Sequence, residues 1–188
     1  MSHQSWSEAV FWSDADGTAV ANTTTETIIF PNITIAGGYM HAQRVLRATL
    51  RGRYSNVVTA VPTLTFRTRW GGVAGTVLQA SPAIVTSATA MTAAMWKMAY
   101  EIQQRTNGAT GNLFAMGDVT MFTGTAATFG TVTNYGVVQP MGSAGVATPA
   151  QVAVDQTVDS ALSDTAAWSA ANASNSVQGH IKILESLN

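Results

Sequence analysis

Three runs in this chain alternate apolar and polar side chains with a period of two, and few architectures accommodate that pattern. In the first run, Leu46, Ala48, Leu50 and Tyr54 fall on one side, and Arg47, Thr49, Arg51 and Arg53 on the other. In the second, Leu64, Phe66, Thr68 and Trp70 alternate with Thr65, Arg67 and Arg69. In the third, Trp96, Met98, Tyr100 and Ile102 alternate with Lys97, Ala99, Glu101 and Gln103. Successive side chains of a strand leave opposite faces, so each run predicts an antiparallel strand with one face in a core. A helix would instead space its apolar residues by three and four.

Turn signals separate the runs. Ser55-Asn56 through Pro62 divides the first two, Gly71-Gly72 and Gly75 follow the second, and Asn107 to Asn112 closes the third and returns the chain into Leu113–Phe122 as a hairpin. Thr27–Ile35, Thr131–Gln139, Asp159–Ser169 and Val177–Leu187 are further strand candidates. Met91 to Gln104 has a helix-permissive composition, but the alternation in its second half predicts strand there. Ile181–Leu187 has the length for a short helix, and strand is preferred. Val138–Val154, rich in Gly, Pro, Ala, Ser and Thr, predicts a long exposed loop. Many short strands with regular turns predict an all-β sandwich or barrel.

Residues 1–26 read as an N-terminal arm, and 27–188 as a single domain. A solvated tail rarely carries three aromatics as large as Trp6, Phe11 and Trp12. The arm is therefore expected to dock, on its own body in preference to a neighbour.

Charged residues make up only 10% of the chain, against about 25% in typical globular domains. A surface so poor in charge reads either as Thr/Ser-rich sheet faces or as surface covered by partners. The net charge of −1 supplies no field to draw the molecule to nucleic acid or membrane. With no cysteine, disulfides and thiolate metal sites are excluded. No basic region followed by an apolar stretch opens the sequence, and the densest apolar segment, 88–100, is interrupted by Thr92 and Lys97. A soluble protein made in the cytoplasm is expected.

Residue patterns that carry chemistry are weak. His3, His41 and His180 are scattered without metal-ligand spacing. Asp14, Asp16 and Gly17 lack the remaining ligands of a calcium loop and read as an Asx-type turn. Gly142-Ser143-Ala144-Gly145 lacks the spacing of a nucleophile elbow. Asp155, Asp159 and Asp164 would support hydrolysis of a polysaccharide only if two of them converged in a cleft. No catalytic residue, metal ligand or cofactor site is expected.

The sharpest unevenness is basic. Six of the nine Lys/Arg residues are Arg44, Arg47, Arg51, Arg53, Arg67 and Arg69. If the strands carrying them pair, these arginines form a stripe. Its readings are a solvated sheet face, an interface onto an acidic protein surface, and, less fitting for a neutral chain without interleaved aromatics, a nucleic-acid site.

Several segments carry a family likeness. They are Trp6, Phe11-Trp12 and Gly17 to Thr24 near the start, then Leu46 to Arg53 and Thr63 to Phe66. Ala167-Trp168-Ser169, Asn175 to His180 and Leu184 to Asn188 follow towards the end. Across nearly the whole chain this resembles a family of small virion structural proteins of tailed bacteriophages. The resemblance implies an antiparallel β-sandwich of jelly-roll-like type and a place on the virion, most often as a trimeric capsid decoration protein bound to the major capsid protein. A tail-tip or fibre module binding a host-surface glycan is the alternative. It implies no catalytic residues, nucleic-acid partner or membrane partner. The surfaces expected to touch neighbours are the arm residues Trp6, Phe11 and Trp12 and the arginines from Arg44 to Arg69.

Overall fold

The computed structural model describes residues 7–41, 43–57, 61–87, 90–122, 136–143 and 148–187. The fold is an antiparallel β-sandwich, jelly-roll-like, with no α-helix among the described residues. Among the described residues the strands are β1 (Ser7–Trp12), β2 (Val20–Ala21), β3 (Thr27–Ile28), β4 (Ile33–Ile35), β5 (Val45–Asn56), β6 (Thr63–Trp70), β7 (Thr76–Ala80), β8 (Ile84–Val85), β9 (Met91–Thr106), β10 (Gly111–Phe122), β11 (Gly136–Met141), β12 (Gln151–Val154), β13 (Ser160–Trp168) and β14 (Ser176–Leu187).

The larger sheet runs β1-β14-β5-β9-β10-β11, with β2 also on β14 and β12 also on β10. The smaller runs β3-β13-β6-β7, with β4 on β13 and β8 on β6. The alternation predicted for β5, β6 and β9 is present: Leu46, Ala48, Leu50, Leu64, Phe66, Trp96, Met98 and Ile102 are all buried. The Asn107–Asn112 turn joins β9 and β10 as a hairpin, in which Gly108 adopts a φ of 111°.

The two layers meet through aromatics. The Phe66 ring of the smaller sheet packs on Trp96 of the larger, with centroids 5.0 Å apart. Room for the indole comes from Gly52, its cross-strand neighbour: a Cβ there would lie 2.7 Å from the Trp96 ring and 2.0 Å from the Gln178 carbonyl oxygen. Gly179, beside Gly52 on β14, similarly admits the Phe30 ring. The buried indoles keep their N–H groups paired with backbone carbonyls: Trp96 with Gln178, Trp70 with Asp155 and Trp168 with Val20.

Several strand boundaries differ from expectation. The expected strand Thr27–Ile35 is split into β3 and β4, because Ile29 and Phe30 are both buried in succession and Pro31 follows. A regular strand would turn one of the two outward. The expected loop Val138–Val154 contains β11 and β12, which divide one edge of β10 between them: β12 pairs Gly111–Phe114 and β11 pairs Gly117–Phe122. The pairing partner, invisible in the local composition, decides their state. The expected strand Thr131–Gln139 is described only from Gly136, where β11 begins; residues 131–135 lie outside the described residues. Met91 to Gln104 is strand from its first residue. In the segment expected to form an arm, β1 and β2 both pair with β14, and Glu26 is tied to the smaller sheet.

Candidate interaction surface

Pairing registers place the outward side chains of the larger sheet in rows across it. One row runs Trp12, Ile183, Thr49, Ala99 and Asp118. The next runs Ile181, Arg51, Lys97, Thr120 and Val138. On the other side of the first lie Ala9, Glu185, Arg47, Glu101 and Met116. Arg53 and Met95 stand opposite each other beyond Arg51 and Lys97.

This outer face is unusually apolar. Of the large hydrophobic side chains that are exposed among the described residues, Trp12, Met95, Met116, Val138, Ile181 and Ile183 all belong to it. Trp12 is 65% exposed. Thr49, Ala99 and Gly117 are small and floor a shallow depression walled by Arg47, Glu101 and Met116. A second depression lies at the edge, between Val10, Phe11, Trp12 and Asp14.

The charges on this face are unevenly matched. Arg47 and Glu101 make a hydrogen-bonded ion pair at 2.8 Å, half exposed on both sides. Arg53 donates from Nε to His180 Nε2 at 3.0 Å, and His180 Nδ1 faces Asp16 Oδ1 at 2.7 Å. Those partners assign the imidazole hydrogen to Nδ1 and its lone pair to Nε2. Asp16 thus serves His180, where an Asx-type turn was expected. Arg51 and Lys97 stand directly opposite each other, and among the described residues neither has a carboxylate partner. Like charges in register repel by roughly 0.2–1 kcal/mol.

The expected single stripe of arginines does not form. β5 and β6 belong to different sheets, so Arg47, Arg51 and Arg53 emerge on one side of the sandwich and Arg67 and Arg69 on the other. Arg67 and Arg69 are held by Glu26: Arg69 donates from Nε at 2.6 Å and from Nη2 at 2.8 Å, and Arg67 from Nη1 at 2.9 Å. The Thr165 hydroxyl donates to the same carboxylate. Partial burial pushes the Glu26 carboxyl up, but the hydrogen bonds from Arg69 and Thr165 and the charges of both arginines outweigh it and hold the group below its usual value. Arg69 is in turn raised, chiefly by its hydrogen bond to Glu26.

The other sequence-derived positions scatter. Arg44 lies outside the strands and stacks on Tyr39, 4.1 Å from the ring centre, with its Nη2 3.5 Å from His41 Nε2. Phe11 packs inward against the core while Trp12, the next residue, faces out. Trp6 and His3 lie outside the described residues.

Asp155, Asp159 and Asp164 do not converge. Asp155 accepts from the backbone N–H and hydroxyl of Thr157, and the hydroxyl bond first, then the backbone bond, lowers its carboxyl below the usual value. Asp159 accepts from the Gly37 N–H. Asp164 is fully buried between the sheets against Lys182. That Lys182–Asp164 pair and the Glu26 cluster are the built polar features missed by sequence reasoning. Lys182 had a signal: counted back from Leu184, it occupies an inward position where an apolar residue belongs.

No protein-family model, curated protein sequence or solved structure matches the chain.

Proposed function

We propose that this chain is a structural subunit of a tailed-phage particle, a capsid decoration protein that binds the outer surface of the major capsid protein shell and stabilises it. The observation that supports an assembly role is the outer face of the larger sheet. There six exposed hydrophobic side chains adjoin two cations, Arg51 and Lys97, without carboxylate partners among the described residues. An isolated domain gains nothing from such a surface; buried beneath an apolar and acidic partner, the same residues supply an interface core with a polar rim. The phage assignment rests on the resemblance in sequence. A homotrimer on the particle, with no part for nucleic acid, membrane, cofactor or catalysis, completes the reading.

A second reading, a tail-tip or fibre module for host-surface glycan, draws on the exposed Trp12 beside its depression, since an aromatic face stacks on sugar rings. Labelling the chain on purified particles separates the two. Many labels over the head support decoration, and a few at the tail support the fibre reading. Particles assembled without the chain are expected to lose resistance to heat. Equal resistance would refute the stabilising role.

A further inference from the structure

The core holds a lysine and an aspartate in contact at complete burial. Lys182 of β14, in the larger sheet, places Nζ 2.7 Å from Oδ2 of Asp164 on β13, in the smaller sheet, and neither side chain is exposed to solvent. An ammonium has three hydrogens to donate. Among the described residues Asp164 is the one polar partner of this ammonium, and the contact is not aligned as a hydrogen bond. Its other neighbours are the rings of Phe11 and Phe30, 5.8 and 6.0 Å away. The carboxylate is better supplied: the Thr68 hydroxyl donates to Oδ1 at 3.0 Å and the Tyr100 hydroxyl to Oδ2 at 3.2 Å.

Burying an ammonium and a carboxylate carries a desolvation cost that their contact must offset. An amino group held against a carboxyl group, with a hydroxyl on each carboxyl oxygen, is the reactant pair of an amide condensation. We infer that Lys182 and Asp164 join through an intramolecular amide bond that ties the two sheets together covalently.

The step balances without any further reactant. Nζ gives one proton to Oδ2. The amine lone pair attacks Cγ and forms the Nζ–Cγ bond, while the electron pair of the Cγ–Oδ1 double bond moves onto Oδ1. Thr68 donates to that developing oxyanion. A second proton passes from Nζ to Oδ2, the electron pair on Oδ1 re-forms the Cγ–Oδ1 double bond, and the Cγ–Oδ2 bond breaks with its electron pair going to Oδ2, which leaves as water. One hydrogen stays on the amide nitrogen, which needs one acceptor where the ammonium needed three. Burial first, then the charge of Asp164, raises the Tyr100 phenol well above its ordinary pKa, so it remains a donor to the leaving oxygen throughout.

The test is the mass of the denatured wild-type protein and a tryptic map. No lysine or arginine lies between Arg105 and Lys182, so trypsin releases 106–182 and a separate 183–188 from an unlinked chain. A linked Lys182 is not cut. The expected result is an intact mass short by one water and a single peptide, 106–188, carrying that deficit. Full mass with cleavage after Lys182 would overturn the inference. Cyclisation at Asp16-Gly17 also expels water, so Lys182→Met serves as the control, read by mass whether or not it folds. Restored full mass supports the bond, and a persisting deficit overturns it.

Discussion

Gly52→Ala tests the packing argument at its tightest point. Gly52 lies in mid-strand between Gly179 and Trp96, and the added Cβ would sit 2.0 Å from the Gln178 carbonyl oxygen, 1.4 Å inside the 3.4 Å at which ordinary contact begins. The indole atoms at 2.7 Å could give way by rotation. The carbonyl cannot, because it belongs to β14 in the middle of its ladder with β5. Relief therefore requires the two strands to move apart where both are buried, and the cost falls at the upper end of overpacking, about 3 kcal/mol. For a chain of this size that lowers Tm by roughly 6–12 °C. Gly38→Ala is the comparison: nothing lies within 4 Å of its new methyl group, and only the φ of +76° is strained, at about 1–2 kcal/mol. Urea unfolding of the two variants beside wild type gives both values. If Gly52→Ala lies within 1 kcal/mol of wild type, or is no worse than Gly38→Ala, the steric reasoning fails.

Three further outcomes are expected. Because the Glu26 carboxyl is held below its unfolded value, its contribution to stability is complete above the unfolded carboxylate range and disappears as pH falls through the folded value. Acid unfolding of Glu26→Gln should lack that component of the wild-type slope. Arg51→Glu removes a like-charge pair with Lys97, so isolated stability should stay level or rise by up to ~1 kcal/mol while binding to the particle falls, measured by thermal unfolding and co-sedimentation. Tyr54, whose hydroxyl donates to the Phe122 carbonyl, is pushed up to about 12 by burial; an absorbance titration should find one phenol ionising near there and losing this delay when Phe replaces Tyr54.

The local pattern in the sequence was enough to identify β5, β6, β9, β10, β13 and β14, since a half-buried strand writes its two faces directly into the residue order. It was not enough to say which strands are neighbours. β5 and β6 are adjacent in sequence, and their arginines suggested one stripe, yet the chain crosses between layers after Asn56 and the two sets face opposite ways. Pairing over long separations also rescued β11 and β12 from a composition that reads as loop. Glu26 showed no signal at all, because its role depends on β13 and β6 coming together beneath it. Lys182 and Asp164 did break the alternation of their strands, each placing a charge where the core side runs, and a lysine and an aspartate misplaced in this way are candidates for mutual pairing.

The position of β14 has a consequence for how the protein is made. Residues 176–187 lie inside the larger sheet, with β1 and β2 on one edge and β5 on the other. During synthesis β5 emerges well over a hundred residues before the strand that completes its hydrogen bonds, and β1 earlier still. The larger sheet therefore cannot close while the chain is still growing through β13, and one edge of β5 waits unsatisfied. Such long-range closure makes folding slow. The scarcity of charge that suits a buried interface leaves few repulsive groups to guard that waiting edge, so yield in the cell should depend more on chaperones and growth temperature than on the stability of the finished sandwich.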